Sequence, residues 1–279
     1  RAHANAIEIV WSLDPRLDHI QADEGRLRQI LFNLAGNAIK FTKTGGVLIQ
    51  VGLTDDSLIR FSVRDTGPGI PPEARERIFE EYGQVSPSDA TRYGGAGLGL
   101  VVVKKLVEVM QGTLMLESEL GEGSLFSVTF RAPYGLRTST PAMAHPRNVT
   151  LVSRNDILAM GAQSHLAAFD TRLRRVNRID ELVDGHAMLL CDRAALDHGP
   201  IAAPSNKAII LLAPEQRDEI EQWRAHGWAG YLIKPLRRAS LIERLDALND
   251  QPNDSREPHR DDERIVIESA PDKVVLLVE

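Results

Sequence analysis

The chain has 279 residues, 43% hydrophobic and 26% charged, which is ordinary for folded protein and long enough for two domains. Its net charge of −6 excludes a general nucleic-acid binder, because phosphate contacts need clustered Lys and Arg. The single cysteine, Cys191, excludes an internal disulfide and fits a reducing cytoplasm, and no apolar run approaches the roughly 20 residues needed to cross a bilayer.

In chain order, Ile7 to Leu13, Val47 to Leu53 and Leu58 to Val63 alternate as strands do. Between the first two, Gly25 to Phe41 carries Leu27, Ile30, Leu31, Leu34 and Ala38 at helical spacing. A second helix is predicted from about Gly97 to Met110, closed by Gly112. Strands Leu114 to Ser118 and Ser124 to Arg131 follow, so residues 1–133 read as α+β, a mixed sheet with helices on one face. Residues 134–146, rich in Thr, Ser, Pro and Ala, read as a linker. From 147 to 249 the rhythm becomes alternating strand and helix. Apolar runs lie at Val149 to Ser153, Ala187 to Cys191, Ala208 to Ala213 and Gly230 to Ile233, and helices are predicted to Phe169, over Glu215 to His226 and over Arg238 to Leu248. That is a doubly wound α/β parallel sheet of about five strands. Residues 250–271 are a polar tether, and residues 272–279 open a further strand. The chain begins at Arg1 and stops inside that apolar run, so it reads as an excerpt of a longer protein, with any membrane anchor outside it.

Three patterns in the first region converge on a nucleotide. Asn33 and Asn37 stand one helical turn apart, and Asn37 offers a neutral oxygen suited to Mg²⁺, which keeps water and phosphate oxygens as its other ligands. Lys40 is three residues on and reaches phosphate, with Phe41 beside it. Asp65 ends an apolar strand, where a carboxylate accepts a hydrogen bond from the adenine amine, and Gly67 and Gly69, followed by Ile70, let backbone approach the base. Gly95, Gly97 and Gly99, with Leu98 between them, aim amide donors at phosphate where a helix begins. Singly, each has an ordinary structural reading as cap, turn or hinge; their joint order is what carries the inference. The dinucleotide fingerprint fails on spacing, and a Walker loop fails because no Gly-Lys-Ser/Thr is present.

Residues 1–133 resemble the catalytic ATP-binding domain of sensor histidine kinases. Arg26 to Thr42 is similar to that family's asparagine box, Asp65 to Ile70 to its first glycine box, Ile78 to Tyr82 to its phenylalanine box, Gly94 to Leu100 to its second glycine box and Gly121 to Phe126 to its third. The resemblance implies the two-layer ATP sandwich with left-handed crossover shared with gyrase and MutL, with Gln84 to Tyr93 as a mobile lid. Ala96 departs from the Thr or Ser common there. Relatives that hydrolyse ATP carry a Glu four residues before the metal Asn; here Asn33 stands in that place, an amide without useful basicity, so slow hydrolysis is expected. The resemblance places the phosphoryl acceptor, a His, on a dimerising helical hairpin before this domain. His3 lacks the following acid and is not read as that acceptor.

Residues 147–249 resemble a response-regulator receiver. Asp192 matches the acceptor carboxylate and Lys234-Pro235 the last element of its pocket, but the paired acids are replaced by Ser153 and Arg154 and the Thr or Ser by Ala213. The expectation is a degenerate receiver in which Arg154 and Lys234 neutralise Asp192 directly. Val274 to Glu279 resembles the first strand of a second receiver. Together the resemblances imply the ATP-binding part of a hybrid sensor histidine kinase, homodimeric through the absent hairpin and using Mg-ATP. The competing readings are a nucleotide-binding pseudokinase that serves as an interaction module, and a superfamily ATPase, which Asn33 opposes.

Overall fold

The computed structural model describes residues 7–81, 83, 97–137, 148–167, 169, 171–182, 188–250 and 274–276. The chain divides into two compact units.

The first unit contains β1 (Glu8–Leu13), β2 (Leu17–Gln21), α1 (Glu24–Phe41), β3 (Gly46–Leu53), β4 (Ile59–Asp65), α2 (Gly99–Val109), β5 (Thr113–Glu119), β6 (Gly123–Phe130) and β7 (Tyr134–Leu136). Five of these strands form a mixed sheet in the order β1-β3-β4-β6-β5; β1 and β3 are parallel across α1, and the other pairs are antiparallel. Asp23 caps α1 by accepting the Arg26 N–H. The helix buries Leu27, Ile30, Leu34 and Ala38 in a core with Val103 and Val107 of α2 and with Phe61, Val63, Phe126 and Phe130 of the sheet. Phe61 and Phe130 stack at 5.7 Å.

The period of two along β4 puts one polar residue where the core would otherwise continue. Ile59, Phe61 and Val63 face the helices, and Asp65 is next in that row. The carboxylate is thus carried to the covered face by strand geometry and lies 7% exposed.

A smaller sheet, in the order β13-β2-β7, takes in β13 (Val274–Leu276), paired antiparallel with β2. Here the structure departs from the sequence reading twice. β2 was not anticipated, because its buried residues Leu17 and Ile20 are three apart, a helical spacing. The register between β2 and β7 shifts between Leu17 and His19, and this bulge brings both apolar residues inward. Tyr134, assigned to the linker, opens a strand instead: Tyr134 and Gly135 pair with Ile20 and His19, and a Cβ on Gly135 would strike the His19 ring at 2.3 Å.

The second unit contains β8 (Asn148–Val152), α3 (Asp156–Ala167), β9 (Arg172–Val176), β10 (Met188–Asp192), β11 (Ala208–Leu212), α4 (Ile220–Ala225), β12 (Gly230–Ile233) and α5 (Arg238–Asp250). All five strands are parallel, in the order β12-β11-β10-β8-β9. β10 and β11 are buried along their whole length, as central strands covered on both faces must be. One face packs Leu158, Leu166, Leu241 and Leu245 against Leu190 and Leu211. The other packs Trp223 and Trp228, edge to face at 5.4 Å, against Cys191 and Ile210. The helix expected over Glu215 to His226 is in two parts: a 3-10 segment Pro214–Glu219, interrupted at Gln216, precedes α4. Between Asp192 and β11 the helical structure is one 3-10 turn, Arg193–Ala195.

Candidate nucleotide site and receiver-like pocket

Asp65 accepts the Gly67 N–H on Oδ1 at 2.8 Å. Burial pushes its pKa above the ordinary carboxylate value, against backbone donation from Gly67 and Ser124 and the charge of Arg64. Gly67 stands where a side chain would fill the space beside that carboxylate. A Cβ there would lie 2.8 Å from Asp65 Oδ1, 3.4 Å from the Phe41 carbonyl oxygen and 3.5 Å from Thr42 Oγ1. Gly69 has φ +72°, and a Cβ on it would meet the Glu119 carbonyl oxygen at 2.0 Å, so the first glycine turn lies directly against the turn between β5 and β6.

That second turn braces the first. Gly121 N–H donates to the Pro68 carbonyl at 2.9 Å. Ser118 Oγ accepts the Ile70 N–H at 2.7 Å and donates to the Gly123 carbonyl at 2.9 Å. Arg75 closes the bracket through the Ser118 and Ile70 carbonyls. On the other side, Thr66 Oγ1 accepts from Gly46 N–H and donates to the Thr44 carbonyl, both at 2.9 Å. Ser118 and Arg75 were not singled out from sequence, and Thr42 and Thr66 entered only as members of the asparagine and first glycine boxes, without a role of their own. Those roles arise from which strand ends meet.

On α1, Asn33 Nδ2 donates to the Gln29 carbonyl at 2.9 Å. Its Oδ1 would stand 3.0 Å from a Cβ on Gly99, so the amide edge of α1 lies against the first turn of α2. Asn37 is half-buried, and its side chain makes no hydrogen bond among the described residues. Lys40 Nζ sits 4.7 Å from the centre of the Phe41 ring. Gly97 has φ +67°, and Leu98, at the N-cap of α2, provides no capping side chain. Ile70 packs at the edge of the core and Leu98 is 40% exposed. Phe79 meets Phe126 edge to face at 6.4 Å. Gly95, the proposed lid Gln84 to Tyr93, Tyr82 and His3 lie outside the described residues.

In the second unit, Asp192 ends β10 with 2% exposure. Lys234 Nζ donates to Oδ1 at 3.1 Å, Ser153 Oγ to Oδ2 at 3.0 Å and Ala194 N–H to Oδ1 at 3.2 Å. The expectation for Arg154 is overturned: its guanidinium turns away from Asp192 and pairs with Asp197 at 3.0 Å, half exposed. It lines an open cleft of about 800 Å³ with Arg175 and Asp156, which pair with each other, and with Arg178. The physical reason is solvation, since a guanidinium at the rim keeps water where the Asp192 pocket offers none, and the buried Ser153 hydroxyl takes the inner place. Ala213 holds the Thr position with its N–H given to Gln216 Oε1 at 2.9 Å. Cys191 is buried, its thiol pushed up to about 12 by desolvation and by the Asp192 charge.

Residues 22–134 match the model of the histidine kinase-, DNA gyrase B- and HSP90-like ATPases. The sensor histidine kinase AruS of Pseudomonas aeruginosa is 35% identical over 273 residues, covering 88% of this chain and 27% of that protein. The chain belongs to the sensor histidine kinases. The circadian input-output histidine kinase CikA of Synechococcus elongatus is 45% identical over 117 residues, 42% of this chain and 15% of that protein. Among solved structures, full-length ShkA in complex with AMPPNP matches with TM-score 0.76 at 40% identity, over 91% of this chain and 54% of that one. This histidine kinase chain thus spans about a quarter of the length of AruS and about half of ShkA. Its first unit has the family's α+β ATPase fold and its second is receiver-like. Among the described residues, no helix is long and apolar enough to cross a membrane.

Proposed function

We propose that this chain is the ATP-binding catalytic part of a cytoplasmic hybrid histidine kinase acting in a two-component phosphorelay. The observation that carries the reading is the Asp65–Gly67 cradle: a buried carboxylate with its pKa raised, beside a glycine so close to it that no side chain fits between them, which leaves backbone alone on that side. ShkA, crystallised with the ATP analogue AMPPNP, supports it. Asp65 accepts from the adenine amine, Gly67 and Gly69 admit the base, and Lys40 and the first turn of α2 serve the phosphates, with Gly95 of the second glycine box as a further phosphate-binding candidate by its place in the sequence.

Among the described residues no group of three or more His, Cys, Asp or Glu is placed to hold a metal on its own. The half-buried Asn37 amide on α1 offers one neutral oxygen, which fits Mg²⁺ carried mainly by phosphate oxygens and water. Bound there, the ion would offset phosphate charge. Kinase chemistry is favoured over hydrolysis because Asn33, with its Nδ2 on the Gln29 carbonyl, cannot take a proton from water. The γ-phosphoryl group passes to a His on the dimerisation hairpin of the parent homodimer: the neutral imidazole attacks through its unprotonated nitrogen, the P–N bond forms, the P–O bond to ADP breaks, and the proton on the other ring nitrogen is released to solvent.

The receiver-like unit is not a phosphoacceptor in this reading, because Lys234 and Ser153 already hold both oxygens of Asp192. In this reading a receiver elsewhere in the parent protein takes the phosphoryl group onward. The test supplies the hairpin in trans with γ-labelled ATP. Acid-labile label on the hairpin His is expected; tight ATP binding without transfer overturns the kinase reading and leaves a nucleotide-binding module.

A further inference from the structure

Thr42 follows the last residue of α1 and is 2% exposed. Its N–H closes the helix on the Ala38 carbonyl at 3.0 Å, and its Oγ1 is buried with no hydrogen-bond partner. Folded proteins leave few buried hydroxyls unsatisfied, since each one forfeits its hydration and gains nothing in return. This one is not remote: it converges with the Asp65 carboxylate and the Phe41 carbonyl on the side of Gly67 where a side chain is missing. The Gly67 N–H is already given to Asp65, so the hydroxyl is the side-chain donor left beside the carboxylate.

We propose that Thr42 is a specificity-determining residue of the nucleotide site, its hydroxyl held in reserve for the purine edge beside Asp65. The inference rests on the ATP reading given above. Adenine presents an amine donor next to a ring-nitrogen acceptor. Asp65 accepts from the first, and the Thr42 hydroxyl donates to the second, directly or through one water. Guanine presents the reverse pair, a carbonyl acceptor next to an N–H donor, and sets its oxygen against the carboxylate. A site able to both accept and donate at this edge tells the two bases apart, whereas a carboxylate alone reads half the pattern.

The test uses the isosteric T42V and the conservative T42S in the full chain, with ATP and GTP affinities by calorimetry and melting temperature without nucleotide. T42V is expected to weaken ATP binding about three- to tenfold, the worth of one hydrogen bond. It should leave GTP affinity unchanged and melt at the same or a higher temperature, because it deletes an unsatisfied polar atom. T42S should restore the ATP preference. A merely structural role predicts the opposite: a lower melting temperature and equal loss of both nucleotides, and that result overturns the proposal. T42V binding ATP as well as wild type overturns it too, without touching the ATP reading. Wild-type protein with no affinity for ATP removes the ATP reading and this inference together.

Discussion

The two units each end a buried strand on an aspartate, and the two carboxylates have opposite fates. Asp65 is 7% exposed and Asp192 is 2% exposed, so burial alone does not separate them. The difference is in the partners. Asp192 has a hydroxyl on one oxygen and an ammonium and an amide on the other. Asp65 has backbone donors, no side-chain partner on either oxygen among the described residues, an unsatisfied hydroxyl nearby and a glycine packed against its Oδ1. A buried charge that is fully paired belongs to the architecture; one left short of partners is a candidate to meet a ligand.

The largest expected effect breaks the paired side. Lys234→Met strands a buried carboxylate and should cost about 3–5 kcal/mol. The denaturant midpoint of the second unit should fall while ATP affinity in the first is unchanged, and the double variant with Asp192→Asn should recover most of the loss. A second prediction works through pH. His165 is fully buried on α3, with Nε2 3.2 Å from the Leu236 carbonyl in the segment that follows Lys234. Desolvation, then the charge of Arg238, pushes its pKa from 6.5 down to about 4. The folded pKa lies below the unfolded one, so the neutral ring's stabilising contribution is complete above pH 6.5 and is lost as pH falls towards 4, about 3 kcal/mol in all. Urea unfolding of the second unit at stepped pH should show this slope, and His165→Gln should flatten it. If the slope appears instead in the first unit, the assignment fails.

Asp65→Asn sharpens the other side. It removes a charge-assisted hydrogen bond to the adenine amine and should weaken ATP about ten- to a hundredfold by calorimetry. Without nucleotide it should not lower the melting temperature, since the charge it deletes is one that burial disfavours; an equal loss of stability would erase the contrast with Asp192. Arg154→Ala gives the smallest effect, within about 0.5 kcal/mol, because its pair with Asp197 is solvated. A cost comparable to that of Lys234→Met would return Arg154 to the Asp192 pocket.

The elements that sequence reading placed well are those with strong periods: α1 with its stripe at Leu27, Ile30, Leu34 and Ala38, and the apolar central strands of the second unit. β2 escaped because a bulge changes its period, and the helix before Trp223 was read as continuous because nothing local marks the interruption at Gln216. In the nucleotide site, the two Asn, Asp65 and the glycines stand out by residue type and spacing. Ser118, Arg75 and Thr42 do not, since each matters only through a neighbour distant in sequence.

By itself, then, the sequence determined the α+β and α/β character of the units and the glycine turns, because period and missing side chains act over a few residues. Only the tertiary structure decided that Ser153 rather than Arg154 meets Asp192, and that Thr42 stands unpaired beside Asp65. Those outcomes depend on which strand ends meet and on how much water remains there, and adjacency along the chain carries neither.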